Sequence, residues 1–175
     1  MLVDKEMANN FRDWERYIRI SRRLTGTEVA RQADHDNSWL ARWERMPRAT
    51  ILEPWQYLKI RDYIAPGVPM RSLVKPAPMR IPFLDREQRK KAAAILERTR
   101  IAKCVANFTL SVKIGMNPNS WAYMVQIDGA PSESTVYLAC KVLGLDYKEL
   151  LKEVGVNDFE RSGGTTTEGN EENAV

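Results

Sequence analysis

Apolar residues recur at helical spacing along most of the chain, and the stretch from Leu24 to Met46 is the clearest case. Val29 and Ala33 lie four residues apart, and Leu40 and Trp43 lie three apart, so each half of the stretch has one apolar stripe. The pattern predicts two short helices that pack against each other.

Small and turn-forming residues mark where these two helices would cross and turn. Ala30 is small enough for a close crossing in the middle of the first helix. Asp34 lies where the chain must turn, and Asp tolerates left-handed backbone better than most residues. Thr27 with Glu28, and Asp36 before the second helix, supply cap chemistry. We therefore predict two helices joined by a tight turn.

The outer face of the second predicted helix remains polar. It carries Asn37, Ser38, Trp39, Arg42 and Arg45. The planar groups of Asn and Arg match adenine and guanine edges in the major groove of DNA. We predict a base-reading helix here; the alternative is an ordinary helical hairpin whose arginines are simply solvated.

The flanking segments complete a first domain. Met1 to Ala8 is expected to be a short arm, and a helix is expected from Asn9 or Asn10, with an apolar side and an arginine side. Its arginines are either solvated or positioned for phosphate contacts, and Arg22 and Arg23 are the candidates nearest the helix pair. Ile51 to Ile64 is predicted to close the core, so residues 9–65 form one domain of four short helices.

Residues 66–84 carry five prolines and a glycine, which break every helical pattern. The segment is interpreted as a linker that could reach roughly 60 Å if fully extended. Arg71, Lys75 and Arg80 are spread along it and are candidates for phosphate contacts. A merely soluble tether is the alternative.

The second half repeats the first. Asp85 is a candidate cap with Gln88 as its partner, and residues 105–126 align on residues 24–45 without a gap. Ser111 then falls on Ala30 and Gly115 on Asp34; Asn117 is expected to cap the following helix, with Pro118 as its first residue. The exposed residues of this second reader would be Asn119, Ser120, Tyr123 and Gln126. Two closing helices complete a domain over residues 85–156.

The stretch Leu24 to Met46 resembles the helix-turn-helix of the Cro and phage-repressor class, although that class usually has Gly where this chain has Asp34. Residues 132–151 resemble the closing helices of Cro-like domains. With the segments RDWERYIR and LTGTEVAR, residues 9–156 look like the small immunity repressors of temperate actinobacterial, including mycobacterial, phages. The resemblance implies repression of lytic promoters in lysogeny, superinfection immunity and binding at asymmetric sites.

Cro-like domains also occur in antitoxins and antiactivators, in which such a domain binds a protein partner. Trp39, Trp121 and Tyr123 would suit a hydrophobic interface of that kind. This second interpretation remains open from the sequence.

Charge and composition limit the other function classes. The net charge is +4, and residues 157–175 carry five acidic residues and one basic, so the remaining chain is at +8, which suits a polyanion. That tail is expected to be disordered. His35 is the single histidine, and Cys104 and Cys140 lie at helical spacing among apolar residues. We therefore expect buried thiols, no metal site, no cofactor and no enzymatic activity.

The sequence thus predicts an all-α protein with two small helix-turn-helix domains joined by a proline-rich linker. Because the two readers differ, it is expected to bind an asymmetric double-stranded DNA operator as a monomer and to act as a transcriptional repressor. No run of 18 apolar residues is present, so no membrane contact is expected, and the protein is placed in the cytoplasm of a host cell, on DNA.

Overall fold

The computed structural model of the protein describes residues 3–157, which form ten helices and no strand. The first unit comprises α1 Lys5–Arg22, α2 Gly26–Gln32, α3 Trp39–Arg45, α4 Pro54–Ile64 and α5 Met70–Leu73. The second unit comprises α6 Arg86–Ala102, α7 Asn107–Lys113, α8 Ser120–Gln126, α9 Glu133–Val142 and α10 Tyr147–Glu153. The predicted all-α class is confirmed. The tail predicted to be disordered lies outside the described residues, apart from Asn157.

The repeat extends further than the sequence alone indicated, because α1 to α3 and α6 to α8 share one offset of 81 residues. Asp4 and Asp85 hold the same cap position: each carboxylate accepts the backbone N–H of the residue three further along. After the first helix of each unit, Arg23 and Cys104 both adopt left-handed backbone, with φ of 57° and 53°.

The turn between the two helices of each pair is left-handed at the expected position. Asp34 has φ of 59° and Gly115 has φ of 73°, so the prediction for Asp34 is confirmed. Ala30 and Ser111 are both fully buried. The Oγ of Ser111 also accepts the backbone N–H of Trp121, at 3.1 Å, which ties the start of α8 to α7.

Two hydrophobic cores divide the described residues. One contains Phe11, Trp43 and Ile60, and the other contains Leu96 and Trp121. α1 takes part in both, because its Ile20 belongs to the second core, and Tyr17 meets Tyr137 of α9 edge to face with ring centroids 6.4 Å apart. The longest helix of the first unit is therefore also a wall of the second.

Several predicted helix starts are shifted. α1 begins at Lys5, capped by Asp4, so residues 5–8 of the predicted arm are helical and Ala8 is buried. The cap of α2 is Thr25, not Thr27, because the Thr25 hydroxyl can reach the N–H of Glu28. α3 and α8 each begin two residues later than predicted, because an additional turn precedes them.

The arginine side of α1 is not a solvated face, which corrects that interpretation. Arg12 and Arg16 are buried, and the side chain of Arg19 is only 12% exposed. Arg12 donates to the carbonyl of Met46, at 2.6 Å, and Arg16 to the carbonyl of Ile81, at 2.7 Å. These guanidinium groups hold neighbouring segments in place, so other parts of the chain cover this face of α1.

Residues 66–84 do not run as an extended tether. They include α5, and Leu73 and Ile81 are buried. Asn10 donates to the carbonyl of Val74, at 2.9 Å, and Trp14 donates to the carbonyl of Lys75, at 3.0 Å. The prolines exclude a long helix but leave carbonyl groups as acceptors, and polar side chains of α1 satisfy them.

The two cysteines differ from each other. Cys140 is buried as predicted, and burial raises the pKa of its thiol to about 12. Cys104 is exposed, because it occupies the left-handed position at the end of α6 rather than an inward helical position. The prediction of a buried thiol is wrong for Cys104.

Candidate nucleic-acid interface

α3 is anchored on one side and exposed on the other. Leu40, Trp43 and Glu44 are buried. The opposite side is polar and open, and it presents Asn37, Ser38, Ala41, Arg42 and Arg45, all exposed. The first two of these lie in the turn before the helix. The small side chain of Ala41 in the centre allows a close approach of a flat surface.

Arg42 is held by two neighbours on this face. Its Nη1 donates to Oγ of Ser38 at 2.5 Å, and its Nη2 donates to Oδ2 of Asp36 at 2.9 Å. The other carboxylate oxygen of Asp36 accepts the backbone N–H of Ser38, at 2.8 Å, and also the Ser38 hydroxyl. Hydrogen bonds from Ser38, followed by Arg42, lower the pKa of Asp36 to about 2. Asp36 is therefore a carboxylate at any physiological pH.

Trp39 does not stand free on the outer face, which corrects its predicted position. Its ring stacks between His35 and Trp43, with centroids 4.3 Å and 5.4 Å away. It is partly buried against the first core. Stacking explains this, because the apolar surface of an indole gains more from a second ring than from water.

A buried charge cluster fixes the inner side of α3 to α1. Glu44 accepts from Arg16, at 3.1 Å, and from Arg19, while Arg19 also donates to Glu15 at 3.0 Å. Burial and the charge of Glu44 raise the pKa of Glu15. Burial opposes ionisation of Glu44 as well, but Arg19 and Arg16 outweigh it, and the pKa of Glu44 is lowered. Glu44 thus remains an anion that binds the helix to α1.

A cleft of about 450 Å³ separates α3 from the second unit. Asn37, Ala41 and Arg45 lie on one wall, and Arg89, Ser132 and Ser134 lie on the other. Phe83 lies at the side of the cleft between two guanidinium groups, 3.7 Å from that of Arg16 and 5.0 Å from that of Arg45. Polar groups of both units therefore border the exposed face of α3.

The equivalent face of the second unit is less charged. Asn119, Tyr123 and Gln126 are exposed, and Ser120 is partly exposed. Tyr123, at 64%, is more exposed than any other large hydrophobic residue described, and Phe108 and Val112 are also open on α7. Trp121, by contrast, is buried and donates to Glu97 at 2.7 Å, so it offers no surface to a partner.

The remaining candidate phosphate contacts are of two kinds. Arg22 and Arg23 are exposed residues whose guanidinium groups donate to carbonyls, of Ile64 at 2.8 Å and of Ile114 at 2.6 Å. Arg71, Lys75 and Arg80 are exposed on the segment that packs along α1.

Residues 3–157 contain neither a metal-binding cluster nor a membrane-spanning helix. This part of the chain contains no group of three or more His, Cys, Asp or Glu side chains that could hold a metal ion. None of its helices combines the length and apolar character that crossing a membrane requires. Comparisons with protein-family models, curated proteins and solved structures found no match.

Three residues of this surface were missed or misread from the sequence. Ala41 and Arg89 carry no local signal, because nothing in their own neighbourhoods tells which wall of a cleft they line. Asp36 was interpreted only as a cap. Its separation of six residues from Arg42 could have indicated the pair, since a turn followed by one helical turn brings such positions together.

Proposed function

We propose that the chain is a sequence-specific double-stranded DNA-binding protein of the repressor type. In this proposal α2 with α3, and α7 with α8, are two helix-turn-helix readers. A repressor that occupies its operator would block RNA polymerase sterically, with no cofactor and no chemistry.

The observation that carries the proposal is the exposed side of α3. Arg42 and Arg45 project from this helix, and Asn37 and Ser38 project from the turn before it, while the other side of the helix is buried through Leu40, Trp43 and Glu44. Base reading needs this combination, because side chains must meet base edges while the helix keeps its register in the groove. The basic charge of residues 1–156 adds attraction for phosphates.

Two unlike readers in one chain favour an asymmetric operator and a monomer. The 81-residue offset places Tyr123 where α3 has Arg42 and Gln126 where it has Arg45. Unlike side chains at matching positions should prefer unlike half-sites. A symmetric dimer on a palindrome would need no such difference.

The test is selection of bound fragments from a random duplex pool by the full chain. A single preferred asymmetric sequence is expected, with one chain per site in sedimentation. The double variant Arg42→Ala/Arg45→Ala should lose this selection. The matched double variant Lys148→Ala/Lys152→Ala, on the exposed side of α10, should retain it. Recovery of fragments without any common sequence would refute the proposal.

A further inference from the structure

Asp36 places a negative charge on the surface that is proposed to face DNA. Its side chain is 62% exposed, and it lies beside the arginine expected to read a base. A carboxylate at this place repels phosphates, so it weakens general attraction to DNA. Any favourable contribution of Asp36 to DNA recognition must therefore act through Arg42.

The contacts define that effect. Arg42 uses Nη1 for Ser38 and Nη2 for Asp36, and Asp36 is itself fixed by the Ser38 backbone. A guanidinium carries five N–H donors in a rigid plane, so two contacts orient the group and leave other donors available. An exposed Arg without such neighbours would sample many rotamers.

We propose that Asp36 is a positioning residue that makes Arg42 select guanine over phosphate; this rests on the proposed DNA-binding function. The Asp36 charge offsets that of the guanidinium, so a phosphate anion gains little from approaching the pair. The neutral major-groove edge of guanine offers two acceptors, O6 and N7, which a planar guanidinium binds by geometry rather than by net charge. The half-site of α3 therefore contains a guanine opposite Arg42.

The repeat assigns this preference to one half-site only. Shifted by 81 residues, Asp36 corresponds to Asn117 and Arg42 to Tyr123. No carboxylate–guanidinium pair exists at that place in the second unit. The guanine contact is accordingly a source of asymmetry in the operator.

The experiment compares wild type with Asp36→Asn and with the matched control Asp62→Asn. Asp62 is 63% exposed and pairs with Arg61 on α4, so its substitution removes an equally open carboxylate outside the reader. Each protein is measured on the selected duplex, on a duplex with 7-deazaguanine at the guanine assigned to Arg42, and on unrelated duplex, at several salt concentrations. Circular dichroism checks that each variant is folded; Asn can still accept the Ser38 N–H.

For wild type, 7-deazaguanine should weaken binding about tenfold, because it removes one acceptor of a bidentate contact. For Asp36→Asn, the penalty from 7-deazaguanine should shrink to less than about threefold. Binding to unrelated duplex should strengthen. The salt dependence of binding should steepen by up to one phosphate contact, about 0.9 in the logarithmic slope. Asp62→Asn should match wild type in the penalty.

An unchanged 7-deazaguanine penalty in a folded Asp36→Asn protein would overturn the inference while leaving the proposed function intact. Equal behaviour of the Asp36 and Asp62 variants would do the same, since the effect would then be general charge. Failure of the proposed function is distinct: wild type itself would not distinguish the selected duplex from unrelated duplex.

Discussion

Nη2 of Arg16 on α1 donates to Oε2 of Glu133 on α9 at 2.7 Å, so this side chain forms an ion pair between the first unit and the second. The same guanidinium reaches Glu44 of α3 and the carbonyls of Ile81 and Pro82. Arg16 is 5% exposed, and breaking one partner of a buried pair typically costs about 3–5 kcal/mol. The two units are therefore held at a defined separation.

The first prediction concerns the spacing of the half-sites. Insertion of one base pair between them shifts one half-site by about 3.4 Å and rotates it by about 34°, since a turn of B-form DNA takes 10–10.5 base pairs over 34–36 Å. Rigidly joined readers cannot follow, so affinity should fall about 100-fold or more, towards that of one reader. The same insertion outside the selected site serves as the control. Affinity that stays within threefold for insertions of one to five base pairs would show that the units move independently.

The second prediction concerns Arg42. Arg42→Ala should weaken specific binding by about 1–3 kcal/mol and relax the preference at one base position, because a bidentate contact to guanine carries that discrimination. Arg48→Ala is the control, since Arg48 is exposed beyond the end of α3. Selection and titration on the same duplex would measure both. Wild-type affinity and selectivity in a helical Arg42→Ala protein would disprove base reading by α3.

The third prediction tests the crossing of α2 and α3. Ala30 is fully buried, so Ala30→Leu must displace packed side chains, at a cost of about 1–3 kcal/mol in the free energy of unfolding. Ala94→Leu, at an exposed position of α6, should leave it nearly unchanged. Urea denaturation measures both. Equal stabilities of the two variants would contradict the close crossing at Ala30.

The fourth prediction concerns pH. Because the pKa of Glu15 is raised in the folded state, its contribution to stability is fully present below its unfolded pKa of about 4.3 and is lost as the pH rises through the folded value. Glu15→Gln stays neutral, retains an acceptor for Arg19 and adds an N–H beside Glu44. Its free energy of unfolding should exceed that of wild type by a margin that grows as the pH rises from 4.5 to 8, because wild type loses the stabilising contribution of neutral Glu15 over that range.

Denaturation at a series of pH values between 4.5 and 8 measures this difference. Glu87→Gln, which changes an exposed carboxylate of α6, is the control and should follow wild type. A constant difference between Glu15→Gln and wild type across the whole range would mean that Glu15 does not titrate there.

The sequence pattern predicted the features of this fold that depend only on residues close together in the chain. The stripe positions Val29, Leu40 and Trp43 are buried, Asp34 is left-handed, and Asp85 caps α6 with Gln88 in the reciprocal arrangement. Each of these follows from helical spacing or from the backbone preference of one residue.

Features that depend on what lies opposite a helix could not be predicted. Periodicity placed Arg12 and Arg16 on one face of α1 but could not tell that residues 66–84 and α9 cover it. Trp39 was placed outward by the same periodicity, and only the neighbouring rings of His35 and Trp43 explain why it is partly buried. The all-helical class follows from the sequence, whereas the partners of the charged side chains require three dimensions.

Because α1 packs in both cores, the folding and unfolding of the two units are coupled. Phe11 belongs to the core of the first unit, whereas Ile20 of the same helix belongs to the core of the second unit. A melted second unit would expose Ile20 and strip Arg16 of Glu133, so the loss of one half weakens the other. Calorimetric melting should accordingly show one cooperative transition for both units. A chain of which only the first unit has been synthesised would lack the second-core neighbours of Ile20 on its longest helix.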